Sequence, residues 1–176
     1  MNIFIATDGS LNLEKTVDLV SRLKGPDDQV IVFTAIHFPR QFLHTFAEVS
    51  GADQVAAIAD AAGSQLTSGG RAAEQLAGTP GREADPQQVT DNYFEVMARR
   101  TCTPLLDALG DAGADAELMF SHTENQTART ILAEAEVKNA DVLVLGSHGQ
   151  GKFEGPLGST VTKLVRRSTI PVLLVR

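Results

Sequence analysis

Glycine, hydroxyl and basic residues crowd one short stretch of the chain. It reads Leu145-Gly146-Ser147-His148-Gly149-Gln150-Gly151-Lys152-Phe153-Glu154-Gly155-Pro156-Leu157-Gly158-Ser159-Thr160. Glycines let backbone come close to a ligand and take positive φ, so successive amides can converge on an anion. A helix starting at Gly158-Ser159 adds unpaired N–H groups and the positive end of its dipole, with the Ser159 hydroxyl beside them. That is equipment for binding phosphate. The plainer alternative is a glycine-rich turn with Ser159 as an ordinary N-cap. Two nucleotide motifs compete and fit less well. Gly146-x4-Gly151-Lys152 follows a P-loop until Phe153 replaces the hydroxyl that should hold magnesium, and Gly155-Pro156 forbids a continuous helix there. Gly149-x-Gly151-x3-Gly155 misses the dinucleotide spacing, and the first strand lacks that fingerprint.

The second chemically suggestive turn is Asp8-Gly9-Ser10, directly after an apolar run at residues 3–6. Asp8 reads as a ligand contact or as the cap of the next helix. His148 reads as a phosphate neighbour or a solvated loop histidine, and Lys152 as a flexible phosphate contact or a surface charge. His37, His44, His122 and His148 show no metal-ligand spacing with one another or with Cys102. Ser147 and His148 are adjacent in sequence, an arrangement unlike a nucleophile–base pair, and no Gly-x-Ser-x-Gly occurs. Cys102, near Pro104 on an amphipathic segment, reads as a small buried hydrophobe. No catalytic residue and no protein-bound metal are expected.

These turns need strands and helices to hold them. Apolar strand-like runs lie at 3–6, 30–36, 116–120, 141–145 and 170–175. Between them fall helical patterns. Leu13, Val17, Val20 and Leu23 share one face, with Ser10 or Asn12 as N-cap and Gly25-Pro26 as stop. A helix over 86–110 carries Val89, Tyr93, Val96, Met97, Leu105, Leu106 and Leu109. It has Asp85 as cap, Pro86 at its first position and a kink or break at Pro104. A third spans 128–137, and Val161, Leu164 and Val165 mark the last. Strands alternating with helices indicate a parallel sheet covered on both faces. Residues 42–85, rich in Ala, Gly, Gln and Ser, read as an insertion of one or two weak helices inside a single domain over 1–176, not as a domain of their own.

Composition bounds the rest. At 176 residues, 43% hydrophobic and 21% charged, the chain is an ordinary globular domain. A formal net charge of −7 argues against a nucleic-acid partner. No apolar run approaches the roughly 20 residues that cross a bilayer, and no signal-peptide pattern precedes Asp8. One cysteine suits a reducing compartment, so a cytoplasmic location with no membrane partner is expected.

Three features together resemble the universal stress protein family. They are Ile3-Phe-Ile-Ala-Thr-Asp-Gly-Ser10, Asp141-Val-Leu-Val-Leu-Gly-Ser-His-Gly149, and Gly146-x2-Gly149-x8-Gly158-Ser159 with a following helix and a terminal Pro-Val-Leu-Leu-Val strand. The likeness covers roughly residues 1–37 and 114–176, more faintly 86–112, and leaves 42–85 without a counterpart. It differs in having one residue fewer between Gly149 and Gly158 than ATP-binding members usually carry. The turn Ser121–Gln126 also replaces a frequent Gly-Asp-Pro, a change given little weight for nucleotide binding. The resemblance implies a doubly wound, five-stranded parallel sheet of order 3-2-1-4-5, with ligand at the crevice beyond strands one and four, where connections reverse direction. It implies an adenine nucleotide, ATP or AMP with magnesium, bound by a non-catalytic stress-response regulator. Asp8 and Ala35 would lie against the adenine, with Ala6, Thr7, Leu145 and Gly146 about the base and ribose. Gly149, Gly158, Ser159 and Thr160, with His148 nearby, would meet the phosphates. It also implies a homodimer through the edge strand Ile170-Pro-Val-Leu-Leu-Val175. The alternatives are a family member acting purely as a dimeric interaction module and, less well supported, an ATP-hydrolysing enzyme using the same loop.

Overall fold

Strand and helix alternate in a computed structural model that describes residues 1–37, 86–123, 126–147 and 157–176. The elements are β1 (Asn2–Ala6), α1 (Leu13–Leu23), β2 (Gln29–His37), α2 (Pro86–Asp111), β3 (Glu117–Thr123), α3 (Thr127–Val137), β4 (Val142–Gly146), α4 (Ser159–Arg167) and β5 (Val172–Val175). Residues 1–37 and 98–176 form one compact unit, and within the other, 38–97, only the opening half of α2 is described. The insertion at 42–85 and the proposed cap Asp85 therefore lie outside the described residues.

All strand pairs are parallel and the order is β3-β2-β1-β4-β5, as the resemblance implies. Period-two alternation divides the core between the two faces. Ile3 and Ile5 of β1, Val30 and Val32 of β2, and Val142 and Val144 of β4 face α1 and α2, meeting Val20, Cys102, Leu105 and Leu109. Their neighbours Phe4, Ile31, Phe33 and Leu143 face the other way, toward Ile131 and Ala135 of α3 and Val161 and Leu164 of α4. The Phe4 and Phe33 rings lie 5.3 Å apart at the centre of that face. Burying each such side chain contributes about 1.5–3 kcal/mol, so the three central strands, apolar on both sides, anchor the sheet.

Several local expectations need correction. Helix α2 runs unbroken through Pro104. The ring costs one backbone bond, but Cys102, Leu105 and Leu109 hold both sides of it against the sheet. The cap of α1 is Asn12, whose Oδ1 accepts from Lys15 N–H at 3.0 Å, rather than Ser10. Leu13, at the edge of its apolar stripe, is exposed, while Leu11 before the helix is buried. Val165 likewise faces solvent, although Val161 and Leu164 are buried. Strand β3 continues to Thr123 because β2 continues beside it, with Ile36 opposite His122 and His37 opposite Thr123. Strand β5 begins only at Val172. Val172 and Leu174 pack on the Phe33 face and Leu173 and Val175 on the other, so its apolar side chains serve its own core while one backbone edge pairs with no other described strand. Among the described residues no helix is long and apolar enough to cross a membrane.

Candidate functional site

At the carboxyl end of β1 the chain must leave the sheet and turn toward α1. Thr7 N–H donates to the Phe33 carbonyl at 2.9 Å, which carries the β1–β2 pairing one residue further. Gly9 then takes φ 88°, a left-handed value that favours glycine. The turn is held by side chains. Thr7 Oγ1 accepts from Gly9 N–H at 2.9 Å, and Asp8 Oδ1 accepts from Ser10 N–H at 3.1 Å and Ser10 Oγ at 2.5 Å. Asp8 does not cap α1; Asn12 does. The Asp8 carboxylate is thus fixed at the mouth of the crevice between β1 and β4.

The neighbouring strand ends differently. Ser147 N–H donates to the Val175 carbonyl, and the Ser147 carbonyl accepts from Gly158 N–H, both at 3.0 Å. The second bond places the start of α4 directly over the end of β4. Gly158, not Ser159, is the N-cap, with extended φ −60° and ψ 155°, and Ser159 is the first helical residue. A glycine cap has no side chain to satisfy the first amides of α4, and its first turn carries no acidic residue. Arg166 and Arg167 complement the dipole at the other end. Among the described residues no side chain caps this positive end.

Between these two turns lies a cavity of about 400 Å³, within the size range of small-ligand sites. Of the residues singled out from sequence, Ala6, Thr7 and Asp8 line it from β1, and Ala35 from β2. Leu145 and Gly146 line it from β4, and Gly158, Ser159 and Thr160 from α4. His148, Gly149 and Lys152 lie outside the described residues. Sequence reasoning missed part of the wall. Ser10 and Leu11 continue the β1 turn, and Phe33, Val161 and Leu164 form an apolar floor continuous with the core. Thr127 and Ile131 of α3 complete the wall. Their signal was available, since residues four apart share a helix face and α3 must cross over the sheet between β3 and β4. Thr127 immediately follows the turn to which little weight was given.

The cavity therefore has an apolar half, from Phe33, Ala35, Ile131 and Leu145, and a rim of hydroxyls, backbone amides and one carboxylate, Asp8. A ligand with a flat apolar part and an anionic part matches that division. Cys102 takes no part. It is fully buried in the core, and burial pushes its thiol up to about 12, so it stays protonated near neutral pH.

Comparison with known proteins gives the same reading of the fold. A universal stress protein from Archaeoglobus fulgidus in complex with dAMP is 14% identical, with TM-score 0.52, over 100% of this chain and 98% of its own. A universal stress protein in complex with cAMP is 19% identical, with TM-score 0.52, over 100% and 96%. A family member from Arabidopsis thaliana with AMP bound is 12% identical, with TM-score 0.52, over 99% and 90%. No curated protein gives a significant match. The universal stress protein family model matches residues 1–176, and the chain belongs to that family.

Proposed function

We propose that this protein binds an adenine nucleotide, ATP or AMP, at the switch point between β1 and β4, and acts as a non-catalytic regulator in a stress response. One observation carries the reading: two distant sequence segments, chosen for phosphate- and base-binding chemistry, line one cavity with an apolar half and an uncapped helix end. The base would sit beside Asp8 and Ala35, with Ala6, Thr7, Leu145 and Gly146 around base and ribose. Phosphates would meet Gly158, Ser159 and Thr160, joined by His148 and Gly149 from the adjoining loop. The structural neighbours solved with cAMP, dAMP and AMP support the choice of adenine. Magnesium would enter with ATP. A regulatory role is favoured over hydrolysis because Asp8 is the one carboxylate among the described lining residues, and phosphoryl transfer draws on a base and metal-binding carboxylates together.

The regulator would act as a homodimer. Among the described strands β5 pairs with β4 alone, and a two-fold axis beside it would join its outer edge to that of a second copy. Since Val172 and Leu174 are half-buried in the protomer's own core, Leu173→Pro, which blocks the ladder, tests this better than charging those two. The wild type should sediment as a dimer at tens of micromolar.

The direct test of ligand binding has two parts. Perchloric acid extraction of the purified protein followed by mass spectrometry should release AMP or ATP. Calorimetry on the stripped protein should then give saturable binding of both. No heat at millimolar AMP and ATP, with the protein folded, overturns the reading.

A further inference from the structure

The α3 wall of the cavity also presents an open hydroxyl. Thr127 is the first residue of α3 and Ile131 follows one turn later, so both project from one stripe of the helix into the cavity. Ile131 is almost fully buried among the residues that surround Phe33. Thr127 is half-buried, yet its hydroxyl makes no hydrogen bond among the described residues. Thr130 and Thr160 share that state among the described residues, whereas three other threonines beside turns and helix starts do not. Thr16 Oγ1 donates to the Asn12 carbonyl at 2.7 Å, Thr162 Oγ1 donates to the Gly158 carbonyl at 3.0 Å, and Thr7 Oγ1 accepts from Gly9 N–H. Nor is Thr127 balanced by a cap, because Gln126 makes no side-chain capping bond.

Position decides what this hydroxyl can reach. Helix α3 packs over β2 and β3, beside Phe33 and Ala35, and also against α4, whose start stands over β4. Thr127 therefore begins the helix that stands over β2, one turn above Ile131 and the residues around Phe33. Resting on the proposed nucleotide reading, we infer that Thr127 is a specificity-determining residue whose hydroxyl bonds the polar edge of the nucleotide base, with Ile131 packing on the base beneath it. A hydroxyl both donates and accepts, so it can serve a ring nitrogen or an exocyclic amine. A site built to hydrogen-bond a base loses discrimination when that partner goes, because the base edge is then desolvated without compensation.

The test is calorimetry of AMP, GMP, ATP and inorganic tripolyphosphate on the wild type and two variants. Thr127→Val keeps the shape and removes the hydroxyl, and Thr127→Ser restores it. Thr127→Val should weaken AMP and ATP by the same factor, about five- to tenfold for one lost hydrogen bond, and narrow the preference for AMP over GMP. It should leave tripolyphosphate binding unchanged, and Thr127→Ser should return AMP affinity to within about twofold of wild type. Wild-type AMP affinity in Thr127→Val overturns the inference. So does equal loss in the Val and Ser variants, which would mark a merely structural role, and thermal melts of both would detect a folding defect. If the wild type itself binds no adenine nucleotide, the proposed function falls and this inference with it. If the wild type binds and Thr127→Val binds equally, only the inference falls.

Discussion

The two ends of the same parallel sheet are finished in opposite ways. At the amino end, polar groups are paired with one another. Asn2 N–H donates to Asp141 Oδ2 at 2.6 Å, and its side-chain amide donates to the Lys138 and Asn139 carbonyls, closing the end of α3 against β1. Asn139 takes φ 49°, a left-handed turn residue, and the Met1 amine bridges to Asp28. At the carboxyl end the turn after β1 is held by its own side chains, but other groups are left open among the described residues. Gly158 caps α4 without a side chain, Thr127 keeps an unbonded hydroxyl, and a cavity of about 400 Å³ separates the turns. The amino end is built for stability and the carboxyl end withholds it. Open polar groups gathered around one cavity suit a place where a ligand completes the bonding.

Substitutions that act with opposite sign on stability and binding sharpen this contrast most. Gly158→Asp should do so with the largest effect. The extended backbone of an N-cap suits aspartate, and its carboxylate would accept from the open amides of α4, so the melting temperature should hold or rise slightly. The same charge would stand where the phosphates are proposed to bind. AMP and ATP affinity should fall at least about tenfold through like-charge repulsion and lost amides. A variant that melts higher and still binds ATP as wild type would place the anion elsewhere.

The amino end should give the mirror image. Asn2→Ala removes two hydrogen bonds to the end of α3 and should cost about 1–2 kcal/mol in urea unfolding. Its nucleotide affinity should not change, since no lining residue is touched. Ser159→Ala comes next. Because Gly158 is the cap, losing the Ser159 hydroxyl should scarcely alter stability, but should cost about 1 kcal/mol of nucleotide binding. A stability loss without a binding change would return Ser159 to the plain capping role that its sequence also allowed.

Those outcomes bear on what a sequence can disclose. The parallel sheet and the two turns that line the cavity were legible, because parallel strands buried on both faces read as continuous apolar runs and glycine clusters are rare without cause. The strand order was implied by the family resemblance. Gly158 and Ser159 were correctly placed at the start of a helix, but which of them caps it was not evident. Cap identity depends on one residue's dihedral angles, and both types are common caps. The continuity of α2 through Pro104 was hidden for another reason. Proline's local penalty is visible in sequence, while the compensating burial of Cys102, Leu105 and Leu109 is a tertiary fact. Thr127 was overlooked because nothing in its neighbours sets it apart, although its spacing to Ile131 and the crossover of α3 were readable. Only the crossing of α3 over β2 brings it to Phe33 and Ala35.

The smallest expected effect concerns the amino end alone. A hydrogen bond from the Met1 amine, at 2.5 Å, and another from Gly25 N–H hold the Asp28 carboxyl below its ordinary value. The same bond to Asp28 raises the Met1 amine above its ordinary value. The signs set two flanks. A lowered carboxyl contributes stability that is present above the unfolded value near 3.8 and is lost as pH falls through the folded one. A raised amine contributes stability that is present below 8.0 and is lost as pH rises through its folded value. Between those limits the pair should give a flat plateau. Met1 is exposed and Asp28 only half-buried, so salt should erode the effect. Asp28→Asn should flatten both flanks in denaturant titrations run from pH 3 to 10, leaving nucleotide affinity at neutral pH untouched. Flanks that persist in Asp28→Asn would assign the pH dependence to other groups. A change in nucleotide affinity would mean that the two ends of the sheet are coupled, and that the division of labour between them is not the one described above.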